Sequence, residues 1–306
     1  MAWRALLSNR PIRRVDLLPC KPAAVAAWTH ADRVTLLDLQ HGAKIDELRF
    51  EEAGGTEYLS APWRAYLASL KAAGDTPLPV VRANRVTVFT ARDGQIRLFR
   101  AGDEALTLEA GGRLFPLVVE PGATILTLAV SADGRTTALL DRKGRLHLYQ
   151  MHIRTGIFEV GLHPLDELAP ALAVTDDGSR VFASDGQRLS VVDAAGRVVL
   201  RTETPYPLGT LACSGDGKWL VTTDLEANVI RAYASASLSV THQRFAVDLL
   251  ADARRAQVLP VTITAGAAVG PLTVNSRGVI AFALSSGLVC ATSLTRMKAI
   301  PKSKKI

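Results

Sequence analysis

Along much of the chain, apolar and polar positions alternate in runs of five or six residues, broken by Gly, Asp, Asn and Ser. The pattern is clearest over 130–149, VSADGRTTALLDRKGRLHLY, and returns over 174–193 and 213–233. Each copy opens with a short apolar stretch that ends in a Ser, Thr or Cys-Ser step. Asp-Gly follows: Asp133-Gly134, Asp177-Gly178 and Asp216-Gly217. This dipeptide favours tight turns, because Gly accepts positive φ and Asp can bond its own backbone. A second strand is predicted over 136–140, 180–183 and 219–222, then a second turn over 141–144, at Asp185-Gly186 and over 224–228. A third strand alternates over 145–149, 188–192 and 229–233, and a more variable fourth strand closes the unit. Short strands with turn signals every few residues predict an antiparallel meander.

Three degenerate copies extend the series. Residues 86–110 place a second turn at Asp93-Gly94, 23–50 place a third strand over 34–37, and 271–293 carry Gly278 at the first turn and Gly287 at the second. Gly134 and Gly178 lie 44 residues apart, and Gly178 and Gly217 lie 39 apart. A period of about 42 with four strands per unit belongs to propeller blades. The 61 residues from Gly217 to Gly278 exceed it and make room for an insert. Six units use about 252 residues and leave room for two inserts and the tails, whereas seven would use about 294.

The units resemble WD40-type propellers. TARDGQIRLFRAG (90–102) and RVTLLDLQHGAKI (33–45) look like the second turn and third strand of a WD repeat, with Leu37-Asp38 and Val192-Asp193 in the place of Trp-Asp. The resemblance implies an all-β fold, a six-bladed WD40-like β-propeller (seven-bladed as the alternative), spanning 1–306 as one domain. Two short helical insertions interrupt it, at about 57–76 and 246–257. In the first, Ser60 caps, Pro62 fits the opening turn and Gly74 ends a helix. Trp63, Tyr66, Leu67 and Leu70 recur at helical spacing on one face. In the second, Asp248, Asp252 and Arg255 face away from Ala246, Leu249, Leu250 and Ala253. Each helix either packs on the rim or docks a partner.

Composition narrows the function classes. No apolar run reaches the ~18 residues of a membrane span, and the Arg-bearing start lacks a secretory h-region. Cys20, Cys213 and Cys290 are sparse and outside CxxC spacing, which predicts small core residues in a reducing, cytoplasmic setting. A composition rich in Ala, Leu, Arg and Val points to a bacterial source.

The chain contains no GxxxxGK[ST], HExxH or GxSxG. The six histidines show no paired helical spacing, and His147, alternating with Leu146 and Leu148, reads as a solvated or rim residue. Asp-Gly pairs read as turns rather than calcium loops, and no metal or cofactor is expected. These features favour a non-enzymatic protein-interaction scaffold, monomeric outside a larger assembly, over a propeller-type hydrolase or lactonase with a central-channel site.

Charge adds a third reading. The net charge is +7, yet residues 1–14 hold four arginines and residues 296–306 five basic residues, with no acid in either. Without these segments the chain has 27 basic and 29 acidic side chains. Pairing of the first strand with the last unit would bring both ends to one seam. The candidate partner-binding residues are therefore Trp63, Tyr66 and Leu70, together with Arg10, Arg13, Arg14, Lys302, Lys304 and Lys305. The basic tail, 301–306, would bind nucleic acid or an acidic surface weakly and with steep salt dependence.

Overall fold

The recurring Ser/Thr-x-Asp-Gly step folds with one hydrogen-bonding scheme in the computed structural model. Thr175 Oγ1 donates to Asp177 Oδ1 at 2.7 Å, and Ser214 Oγ donates to Asp216 Oδ1 at 2.7 Å. The same two hydroxyls accept the N–H of Arg180 and Trp219 at 3.1 and 3.0 Å. Backbone bonds close the turn, with the N–H of Gly178 and Gly217 returning to the carbonyls of Thr175 and Ser214. Gly178 and Gly217 sit at φ of 68° and 67°, where a Cβ is strained. Ser131 accepts the N–H of Thr136 in the equivalent place. Asn275 Oδ1 does so for Arg277 and Val279, which is why Gly278 ends a turn that lacks Asp.

The structure describes residues 3–7, 12–18, 24–29, 33–49, 86–90, 96–101, 105–110, 113–131, 135–151, 153–164, 170–204, 206–224, 229–245, 248, 269–284 and 287–299. Both expected helical insertions lie outside them, apart from Asp248. Strand β1 (Trp3–Leu6) comes first in the chain. Strands β2 (Ile12–Leu18), β3 (Ala24–Thr29), β4 (Arg33–Asp38) and β5 (Lys44–Arg49) form one antiparallel sheet in chain order. So do β6 (Val86–Thr90), β7 (Ile96–Ala101), β8 (Ala105–Ala110) and β9 (Arg113–Leu117). The next sheet is β10 (Ile125–Val130), β11 (Thr136–Asp141), β12 (Arg145–Gln150) and β13 (Ile153–Glu159). It is followed by β14 (Ala171–Val174), β15 (Arg180–Ser184), β16 (Arg188–Asp193) and β17 (Val198–Glu203). Then come β18 (Leu208–Cys213), β19 (Trp219–Asp224), β20 (Val229–Ala234) and β21 (Ser239–Phe245).

The last sheet takes β22 (Val269–Val274), β23 (Val279–Leu284) and β24 (Leu288–Ser293), and β1 completes it by pairing with β24, Arg4 opposite Cys290. The final strand, β25 (Lys298–Ala299), pairs instead with β21 and makes that sheet five-stranded. The reading of 86–110 is corrected by one strand. Because Arg113–Leu117 adds a strand outside β8, the turn around Asp93-Gly94 joins the first and second strands of its sheet.

The chain divides into two compact units, 1–63 with 205–306, and 64–204. In the first, β2 lies against β22 and β23, and β18 and β19 lie against β22. The β22–β24 sheet is therefore buried on both faces. Small residues, Ala281, Ala283 and Ala291, meet Val15, Val25 and Leu37 on one side. Large ones, Ile280, Phe282 and Leu284, meet Val221 and Ile230 on the other. Double burial explains the unbroken apolar run VIAFAL of β23, which a one-sided sheet would not carry. In the second unit, β10 and β11 lie against β14, and Leu140, Leu146 and Leu148 pack with Val160, Val181 and Val192. Cys290 is in the core as expected, but Cys213, at the end of β18, is only half-buried.

Candidate functional site

The second turn of each meander brings a carboxylate into the interior. Asp141, Asp185 and Asp224 end or follow the second strand of three consecutive sheets and are 1%, 3% and 2% exposed. A buried carboxylate is costly unless fully hydrogen-bonded. Asp141 Oδ1 accepts the N–H of Lys143 and Arg145, both at 2.9 Å. Its Oδ2 accepts Arg145 Nε at 2.9 Å, Arg145 Nη2 at 2.8 Å and His147 Nε2 at 2.9 Å. Burial pushes this carboxyl upward, but the bonds from His147 and Arg145 outweigh it and hold it below the ordinary range. Arg145 also reaches Glu120 at 2.9 Å.

His147 is the third residue of β12 and is fully buried, so its expected solvated position is wrong. Alternation does turn it away from Leu146 and Leu148, but both faces of β12 are covered. Its Nε2 carries the proton, because the ionised carboxylate it meets can only accept. The other ring nitrogen, Nδ1, has no hydrogen-bond partner.

The same strand position holds different residues elsewhere. In β16 it is Ser190, whose Oγ donates to the Val160 carbonyl at 3.0 Å. Asp185 is served by backbone instead: N–H groups of Gln187 and Arg188 reach Oδ1, and that of His163 reaches Oδ2 at 2.8 Å. In β20 it is Arg231, which donates to Asp224 Oδ2 from Nε and Nη2 at 3.2 and 3.0 Å. The Arg231 guanidinium also lies 5.5 Å from the centroid of the Tyr206 ring, a cation–π distance.

The two residues read in the place of the WD aspartate are turn acceptors. Asp38 Oδ1 takes the N–H of Gln40 and His41, and Asp193 Oδ1 takes those of Ala195 and Arg197. In β12 and β20 the place of Trp is taken by tyrosine. Tyr149 donates to the Val118 carbonyl at 3.0 Å, and burial raises its phenol, as it does that of Tyr233. These polar groups thus tie turns to strands. Among the described residues no group of three or more His, Cys, Asp or Glu is placed to hold a metal ion.

Of the predicted partner-binding residues, Trp63, Tyr66, Leu70, Arg10, Lys302, Lys304 and Lys305 lie outside the described residues. Arg13 and Arg14 lie on β2, where the register with β3 shifts between Ile12 and Arg14. Sequence reasoning missed two features. One is the buried His147, and the other is the addition of β25 to β21. The signal for the second was the short stretch MKAI, residues 297–300, ahead of Pro301, for which no pairing partner could be inferred locally.

No family model matches the sequence, and no curated protein matches it. Solved structures do resemble the fold. The β-propeller domain of Myceliophteria thermophila Cps50 (Swd1) matches 92% of this chain and 83% of its own, with 12% identity and a TM-score of 0.52. Chaetomium thermophilum Raptor matches 98% of this chain but only 29% of its own, with 9% identity and a TM-score of 0.66. The class is therefore a β-propeller, and its four-stranded antiparallel meanders fit the WD40-like type. Among the described residues no helix is long and apolar enough to cross a membrane.

Proposed function

We propose that this protein is a non-enzymatic interaction scaffold within a larger cytoplasmic assembly. The observation that carries the reading is the use made of the interior ionisable groups. Asp141, Asp185 and Asp224 spend their lone pairs on turn N–H groups, arginine and histidine. Such bonds fix the turns between strands, and fixed turns present a rigid surface of loops to a partner. The similarity to Cps50 (Swd1) agrees with this, since that structure is a β-propeller domain. In this reading the Trp63, Tyr66 and Leu70 face and the basic termini are the docking elements.

The test is purification from the native source followed by size-exclusion chromatography with light scattering. A stoichiometric protein partner that stays bound through the column is the expected result. A protein that elutes alone, at its monomer mass, would contradict the scaffold role. Trp63→Ala then sorts the first docking element. Loss of the partner with unchanged stability marks a docking face, whereas destabilisation by about 3 kcal/mol or more marks a packed one.

A further inference from the structure

We propose that the outer edge of β21, together with the basic C-terminal stretch that follows β25 in the chain, docks an extended acidic segment of a protein partner. The proposal rests on the scaffold reading above and names where and what such a scaffold would bind.

The argument begins with the edge. Strand β21 has seven residues, and β25 pairs with two of them, Ala299 opposite His242 and Lys298 opposite Gln243. This edge thus already accepts an added strand, and the pairing is too short to be held by its own hydrogen bonds, each of about 1 kcal/mol net. A strand edge offers backbone donors and acceptors that an extended peptide can use whatever its side chains.

Charge then selects the occupant. Strand β21 contains His242 and Arg244 and no acid, and residues 294–306 contain Arg296, Lys298, Lys302, Lys304 and Lys305 and no acid. Arg296 is exposed on the short 3₁₀ turn Leu294–Arg296 that leads into β25. Arg244 is half-buried and bonds Thr292 Oγ1 at 3.5 Å, so it is held at the edge rather than swept away from it. Phe245, 40% exposed, ends the strand and adds an apolar contact. A second copy of this chain would bring like charge against like, which disfavours self-pairing. A strand carrying alternate carboxylates meets the opposite sign along the same line.

The experiment uses the full-length protein and fluorescence anisotropy at low salt. The probe is a short labelled peptide of alternating Glu and Val, compared with a Glu-Pro peptide of equal charge whose prolines cannot donate backbone N–H groups. The Glu-Val peptide is expected to bind at least about tenfold more tightly, the worth of one or more backbone hydrogen bonds. Combined Lys302→Glu, Lys304→Glu and Lys305→Glu should weaken it about tenfold, and Arg296→Glu alone by less. Circular dichroism confirms that each variant is folded.

Equal binding of the two peptides would overturn strand docking, and an unchanged affinity in the lysine variant would overturn the charge selection. Tighter binding of a single-stranded DNA of equal charge would replace the acidic peptide with nucleic acid. The failure of this proposal is separable from that of the scaffold reading. If a stoichiometric partner co-purifies with the charge-reversed protein, the docking edge falls and the scaffold stands. If the native protein elutes alone while the peptide results hold, the scaffold falls and the edge stands.

Discussion

Asp141 and Asp224 occupy the same place in two sheets, at the end of the second strand, and both are almost wholly buried. Their partners differ. Asp141 is met by Arg145, from the first position of β12, and by His147, from the third. Asp224 is met by Arg231, from the third position of β20. The carboxylate is the fixed part of the design and the donor is the variable part. A turn needs its acceptor at one point, next to the N–H groups it caps, while a donor can arrive from any strand position that faces it. Asp185 extends the series, since backbone N–H groups alone serve it and Ser190 is released to bond another carbonyl. A repeat can thus lose most of its sequence identity and keep its turns.

The largest effect should come from removing the carboxylate with the most donors. Asp141→Ala strands Arg145 and the His147 N–H, and we expect a loss of about 3–5 kcal/mol in urea unfolding. Asp224→Ala should cost less, about 1–3 kcal/mol, because Arg231 keeps the Tyr206 ring and partial access to solvent. Equal losses at the two sites would break the comparison. Replacing the donor should cost less than replacing the acceptor: His147→Phe leaves Asp141 bonded to Arg145, for about 1–2 kcal/mol by the same assay.

Smaller effects probe the first turns. Gly122 and Gly178 both have positive φ, but a Cβ on Gly122 would meet open space and one on Gly178 would strike Thr136 of the neighbouring sheet. Gly122→Ala is expected to cost about 1 kcal/mol from backbone strain, and Gly178→Ala more. The same unfolding midpoints rank them, and a Gly178→Ala protein as stable as the Gly122→Ala one would contradict the close approach.

The smallest effect is on pH dependence. The folded carboxyl of Asp141 is depressed, against burial, by its bonds to His147 and Arg145. That of Asp177 is depressed by its bond from Thr175. A depressed carboxyl contributes stability above its unfolded pKa of about 3.9, and that stability is lost as pH falls through the folded value. Unfolding free energy should therefore fall below about pH 4, and the fall should be shallower in Asp141→Asn.

Much of this architecture was legible in the sequence because turn chemistry is local. Thr175, Asp177 and Gly178 lie within four residues and make one another's bonds, so spacing alone exposes them. The pairing of β1 with β24 was legible as well, from the way a repeat must close. His147 was not, because alternation tells which residues share a face but not whether the opposite face is also covered. The frame of 86–110 slipped by a strand for a related reason: Asp93-Gly94 marks a turn without marking which turn it is. The edge pairing of β25 joins residues more than fifty positions apart through two backbone positions, and no side-chain pattern encodes it.

The central claim is that the buried carboxylate and its strand-borne donor act as one unit, and a double-mutant cycle tests it most directly. Unfolding free energies of the native protein, Asp141→Ala, His147→Phe and the double variant give the coupling between the two side chains. The account predicts a coupling of about 1–3 kcal/mol, with the double variant less destabilised than the sum of the single ones. A coupling below about 0.5 kcal/mol, the additivity of independent sites, would contradict it.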